Sequence, residues 1–176
     1  MSTYKFLITI LLLTLAPLIN AATITQATYL TFEKEDTSDH MVVNFITEGK
    51  SAKTTVYYDT KSHGSQLQRY AFSVKSRVDE IKGIDRSYHH ASLNNLTPDT
   101  TYFFIFGDEN IGLSKVFKFK TLPSDNSPIR LLVGGDMSAD DKIVETAKHA
   151  MKSRPHAIII GGDIAYANGR IRNEIR

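Results

Sequence analysis

Two kinds of apolar pattern divide the chain. Between residues 23 and 122, apolar and polar positions alternate in short runs separated by turn-forming residues. Met41, Val43 and Phe45 fall on one face of such a run, as do Tyr102, Phe104 and Phe106. Phe117 and Phe119 alternate with Lys118 and Lys120, as in a strand with one buried face and one wet face. The pattern predicts strands over residues 24–32, 40–47, 54–59, 66–74, 87–93, 101–107 and 114–121. Short strands at this spacing predict an all-β sandwich.

After Pro123-Ser-Asp-Asn-Ser-Pro128, a polar stretch with proline at both ends, the pattern changes. Ile129-Arg-Leu-Leu-Val-Gly-Gly-Asp136 and His156-Ala-Ile-Ile-Ile-Gly-Gly-Asp163 are unalternating apolar runs, each ending in a glycine pair and an aspartate. Such runs predict strands buried on both faces. Residues 140–151 between them predict a helix, with Ile143, Val144, Ala147, Ala150 and Met151 on one face and Ser138 or Asp140 as the N-cap. Strand, helix and strand within about 35 residues make a βαβ unit, whose strands are parallel. The predicted layout is a sandwich over 23–122, a linker over 123–128 and the start of an α/β domain over 129–176. One such unit cannot close a core alone. Its apolar faces are expected to be exposed, as at the front of a longer polypeptide or in a truncated product.

The first 22 residues read differently. Lys5 precedes an apolar run over residues 6–18, and Ala21-Ala22 closes the stretch. This is the pattern of a secretory signal peptide, cleaved after Ala21 or Ala22, with an uncleaved anchor as the alternative. The run is shorter than the roughly 18 residues of a spanning helix. The expected location is therefore secreted or periplasmic, with no membrane contact after cleavage. A net charge of +2 gives no argument for nucleic acid. With no cysteine, disulfides and thiolate ligands are excluded, so any metal must take oxygen or imidazole donors. Asn95-Leu-Thr97 is a glycosylation triplet, made a poor one by Pro98.

Asp136 and Asp163 are expected at the carboxyl ends of parallel strands, where open α/β sheets place their sites. Two carboxylates brought together there repel unless a cation or a proton neutralises them. Glycines ahead of each let the backbone turn and leave room for an ion. Tyr166, three residues beyond Asp163, can add a phenolate oxygen; ferric iron suits such donors, although spacing alone does not select it.

Gly-Asp before a helix, then Gly162-Asp-Ile-Ala-Tyr166, resembles the first two metal-binding blocks of the calcineurin-like metallophosphoesterases. The tyrosine points to their purple acid phosphatase branch. The resemblance implies that Asp136 binds the first metal, that Asp163 bridges both, and that Tyr166 binds ferric iron. It implies a dinuclear centre of Fe(III) with Fe, Zn or Mn, and a phosphate monoester as substrate. Ser138 stands where the family's first block usually has glycine. The family's other ligand blocks, Gly-Asn-His-Glu/Asp, an isolated His and Gly-His-x-His, come further along and are not among these 176 residues.

A second resemblance lies in the sandwich. Leu96-Thr-Pro-Asp-Thr-Thr-Tyr102 is similar to the tyrosine corner of fibronectin type III domains, which makes Tyr102 structural. His89-His90-Ala-Ser-Leu93 resembles the purple acid phosphatase N-terminal domain, which is of that type. On a strand, one of His89 and His90 points inward and one outward, and both are expected to be structural or solvated. His149 suits the end of its helix, His156 the wrong end of its strand for a site, and His40 and His63 the edges of strands and loops. Arg170, Arg172 and Arg176 are expected on a solvated face rather than on phosphate, and Asn168 has no assigned role.

The resulting expectation is the N-terminal portion of a secreted dinuclear-metal phosphatase, the 176 residues alone being inactive. The alternative is a secreted fibronectin-type binding module with a vestigial phosphoesterase tail. A nucleotide-binding βαβ protein ranks last, because no Gly-x-Gly-x-x-Gly loop is present.

Overall fold

Alternation decides which side of each strand is buried, and residues 86–93 show it most plainly. Ser87, His89, Ala91 and Leu93 are buried there, while the residues between them are partly exposed. A computed structural model describes residues 23–50, 53–108, 111–135 and 141–162. Its strands are β1 (Thr23–Thr31), β2 (Met41–Glu48), β3 (Thr55–Asp59), β4 (Phe72–Lys75), β5 (Arg77–Glu80), β6 (Arg86–Leu93), β7 (Thr101–Asp108), β8 (Gly112–Leu113) and β9 (Phe117–Lys120). They are followed by β10 (Leu131–Gly134), α1 (Asp141–Met151) and β11 (Ala157–Ile160).

Strands β1 to β9 form two antiparallel sheets. One is four-stranded in the order β1-β2-β6-β5; the other is five-stranded, β4-β3-β7-β8 with β9 also on β7. Their inner faces share one core. Met41, Val43, Phe45, Ala91 and Leu93 come from the first sheet, and Val56, Tyr58, Tyr102, Phe104, Phe106 and Phe119 from the second. Phe45 stacks on His89 of its own sheet at 4.5 Å and on Phe106 of the opposite sheet at 3.9 Å. Burying each such ring removes enough apolar surface to contribute about 2–3 kcal/mol. The all-β sandwich expected from the alternation is what the chain forms.

The corner before β7 forms as the sequence implies. The Thr97 N–H donates to the Tyr102 hydroxyl at 3.0 Å. Thr121 Oγ1 donates to the Thr97 carbonyl at 2.7 Å and accepts the Thr100 N–H at 2.9 Å, tying the corner to the end of β9. Asn95 and Asp99 take positive φ to make the bend.

Two predicted elements are corrected, and one observed strand was not foreseen. Residues 66–74 are not one strand: Leu67–Arg69 is a 3-10 turn, and extended structure begins only at Phe72. The Asp59 carboxylate, which accepts the N–H of Ala71, and Tyr70, which donates to the Gly64 carbonyl, hold this segment as a loop. Residues 114–121 give only β9, with β8 as a separate pair ahead of it. Strand β5 was not predicted, because its polar sequence, exposed except for Val78, carries no alternation.

Residues 121–130 carry neither strand nor helix. Beyond them β10 and β11 pair in parallel, Leu131 to Ala157 through Gly134 to Ile160, with α1 between them in sequence. Their unalternating runs suit burial on both faces, yet, as expected for one such unit, the faces are exposed. Leu131, Val133, Ile158, Ile159 and Ile160 are 42–70% exposed, because among the described residues the pair has no further strand beside it. Of the predicted apolar helix face, Ile143 and Ala150 are half-buried, while Val144, Ala147 and Met151 are exposed. The expected N-caps Ser138 and Asp140 lie outside the described residues.

Two substitutions test this description. Tyr102→Phe keeps the ring and strands the Thr97 N–H, so denaturant unfolding should show a loss of about 1–2 kcal/mol. Gly107 has φ +150 and its added Cβ would lie 2.0 Å from the Gly112 carbonyl oxygen. Gly107→Ala should therefore unpair β8 from β7, read as lost amide protection at Leu113, with the centre of β7 unaffected.

Candidate metal centre

The parallel pair ends in two glycine pairs, of which Gly134 and Gly135 lie against Gly161. The ladder continues one step past β11, where the Gly161 N–H donates to the Gly134 carbonyl at 2.7 Å. A Cβ built on Gly135 would sit 3.5 Å from the carbonyl carbon and oxygen of Gly161, so the two backbones meet with no side chain between them. Gly162 adopts φ +105, a conformation that favours glycine, and the chain leaves β11 through it. In sequence, Asp136 directly follows the first glycine pair and Asp163 the second.

Asp136, Asp163 and Tyr166 themselves lie outside the described residues, as do Ser138, Asn168, Arg170, Arg172 and Arg176. What the structure brings together is the backbone leading into the two aspartates. Side-by-side glycine ends on parallel strands fit a shared cation, since they remove the side chains that would fill the space between the strand ends. Among the described residues, no group of three or more His, Asp or Glu could hold a metal ion.

The histidines have other work. His40 is fully buried, and its Nε2 accepts the N–H groups of Glu33 and Lys34, both at 3.1 Å. His63 Nε2 lies 3.2 Å from Asp59 Oδ2 and its ring meets Tyr70 edge-on. His89 points inward and is fully buried, between the hydroxyls of Thr47 and Ser76. His90 is on the outer face, its Nδ1 2.6 Å from Asn44 Oδ1 and its Nε2 3.4 Å from Asp79 Oδ2. At the amino end of β11, His156 Nδ1 accepts the Arg130 N–H at 2.8 Å while its own N–H donates to the Arg130 carbonyl. His149 sits in the last turn of α1. Each described pairing ties one segment of the scaffold to another, in keeping with the structural reading of His89 and His90. No described helix is long and apolar enough to cross a membrane.

Comparison with known proteins agrees with the sandwich. The family described as "Purple acid Phosphatase, N-terminal domain" matches residues 25–121. Purple acid phosphatase 23 of Arabidopsis thaliana is 34% identical over 84 residues, covering 46% of this chain and 18% of that protein. Purple acid phosphatase 15 of the same plant is 25% identical over 139 residues, covering 77% of this chain and 25% of that protein. Among solved structures, the sensor domain of the anti-sigma factor RsgI4 of Pseudobacteroides cellulosolvens is similar at a TM-score of 0.36 and 15% identity, covering 60% of this chain and 98% of that one. That likeness is too distant to carry an argument. The chain spans between 18% and 25% of the length of these two plant relatives. By the match that fills its sandwich, the chain belongs to the family of the purple acid phosphatase N-terminal domain.

Proposed function

We propose that the chain is the N-terminal portion of a secreted phosphatase that hydrolyses phosphate monoesters at a dinuclear metal centre begun by its βαβ unit. The observation that supports this reading most is the contact of Gly134 and Gly135 with Gly161 at the end of the parallel pair, since an aspartate follows each glycine pair in sequence. The match to the second plant phosphatase adds support. It covers 77% of the 176 residues, more than the 128 that precede Ile129, and so runs past the linker into the α/β segment. That extent favours a phosphatase over a binding module with a vestigial tail.

In this reading residues 1–22 direct export, 23–122 form a fibronectin type III-like sandwich, 123–128 link, and 129–176 begin the metallophosphoesterase domain. Asp136 would hold the first metal, Asp163 would bridge the two, and Tyr166 would bind the ferric ion. When bound, Fe(III) with Fe, Zn or Mn would supply Lewis-acid polarisation of the phosphoryl oxygen and a water of lowered pKa. The chain's own part is to bring negative oxygens to one place at little steric cost. Glycine at the strand ends leaves room for a cation, which would neutralise the repulsion between the two carboxylates.

In the enzyme that contains this chain, Asp163→Asn should lower hydrolysis of para-nitrophenyl phosphate by more than about a hundredfold and release metal, as counted by elemental analysis. Full turnover with full metal content would refute the bridging role. The 176 residues alone, bringing at most three donors, should show negligible turnover.

A further inference from the structure

A single residue carries the chain from one sheet to the other. Strand β4 belongs to the five-stranded sheet and β5 to the four-stranded one, and Ser76 alone separates them. Ser76 is 1% exposed. Its N–H donates to the Thr54 carbonyl at 2.8 Å, and its Oγ accepts the Thr54 N–H at 3.1 Å. The same Oγ lies 3.0 Å from His89 Nδ1, and His89 Nε2 lies 3.1 Å from Thr47 Oγ1. Thr54 Oγ1 donates to Asp108 Oδ2 at 3.3 Å, extending the chain of polar groups to the end of β7. A fully buried imidazole thus holds the crossover, with one hydroxyl on each ring nitrogen and Phe45 stacked on its face.

One hydroxyl on each ring nitrogen suits a neutral imidazole. In one tautomer Ser76 Oγ accepts the Thr54 N–H and gives its own hydrogen to His89 Nδ1. The ring proton then sits on Nε2 and is donated to Thr47. A second proton, on Nδ1, would meet the Ser76 hydroxyl hydrogen head-on and force that hydroxyl to turn away. The charged groups that act on the ring are few. Burial disfavours the imidazolium most, the Asp108 carboxylate from β7 favours it, and His90, next on β6, disfavours it. The ring contacts from β2 and from the crossover (Phe45, Thr47 and Ser76) are neutral, as is Thr54 beyond Ser76.

We propose that His89 is an acid-sensitive fastening of the sheet crossover: while neutral it pins Ser76 to Thr54, and on protonation it releases the β4–β5 edge. The proposal rests on the sandwich and is independent of the phosphatase reading. In the closed form burial holds His89 down to about 4, against an ordinary value of 6.5. An opened form therefore binds the proton more readily between those values. The fastening is complete above pH 6.5 and is lost progressively as pH falls towards about 4. Each unit of pH in that window multiplies the open population by up to about tenfold.

Amide hydrogen exchange on the full chain tests this, corrected for the intrinsic pH dependence of exchange and paired with NMR titration of the His89 ring. Between pH 6.5 and 4.5, protection at Ser76 and Thr54 should fall by up to about a hundredfold, while that at Phe104 in β7 stays level. The His89 ring should still be neutral at pH 5. His89→Gln, which keeps a donor and an acceptor without titrating in this range, should abolish the pH response. A ring that titrates near 6.5, or Ser76 and Thr54 protection that is level throughout, overturns the proposal even if the variant fails to fold. A folded His89→Gln chain with the wild-type response overturns it equally.

Discussion

Phe45 on one sheet lies face to face with Phe106 on the other, and the sandwich is arranged around that contact. Its reach fixes the spacing of the sheets, and the strands' alternation follows from the need to point Val43, Phe104 and Leu93 at the same interior. His89 enters because it continues the stack on the far side of Phe45. A polar ring placed there needs partners for both nitrogens, and the interior provides two hydroxyls. The hydrophobic packing therefore places a buried polar relay at Ser76, where the chain changes sheets.

The sandwich was legible because alternation is a strong local signal. Met41, Val43 and Phe45 are inward, as the period of two requires, and the Tyr102 corner is marked by residues close in sequence whose bond then closes within five positions. Signals failed where structure depends on distant partners. Nothing in Leu67–Arg69 announces the turn, which follows from the bonds that Asp59 and Tyr70 make around it. Strand β5 exists because β6 offers it an edge. The roles of Thr47 and Ser76 were invisible for the same reason, since a serine between polar residues has no periodicity and its partner lies thirteen positions away.

The candidate centre was legible in part. The glycine pairs foretold strand ends that meet, and the parallel register with the Gly161-to-Gly134 bond gives that meeting a geometry. The strand faces are exposed, as expected of a lone unit, because an unalternating apolar run encodes what a strand needs rather than what its neighbours supply. The sandwich closes its own core, while Val133 and Ile159 remain half-exposed or more, so the two segments differ in how far they satisfy themselves.

The claim that the two strand ends converge on one cation is tested most directly by adding Mn(II) to the 176-residue chain and following amide resonances by NMR. A paramagnetic ion broadens signals close to it. The account predicts that Gly134, Gly135, Gly161 and Gly162 broaden first and together. Broadening that begins at the Asp59–His63 pair, or spreads evenly over the carboxylates of the sandwich, would contradict it.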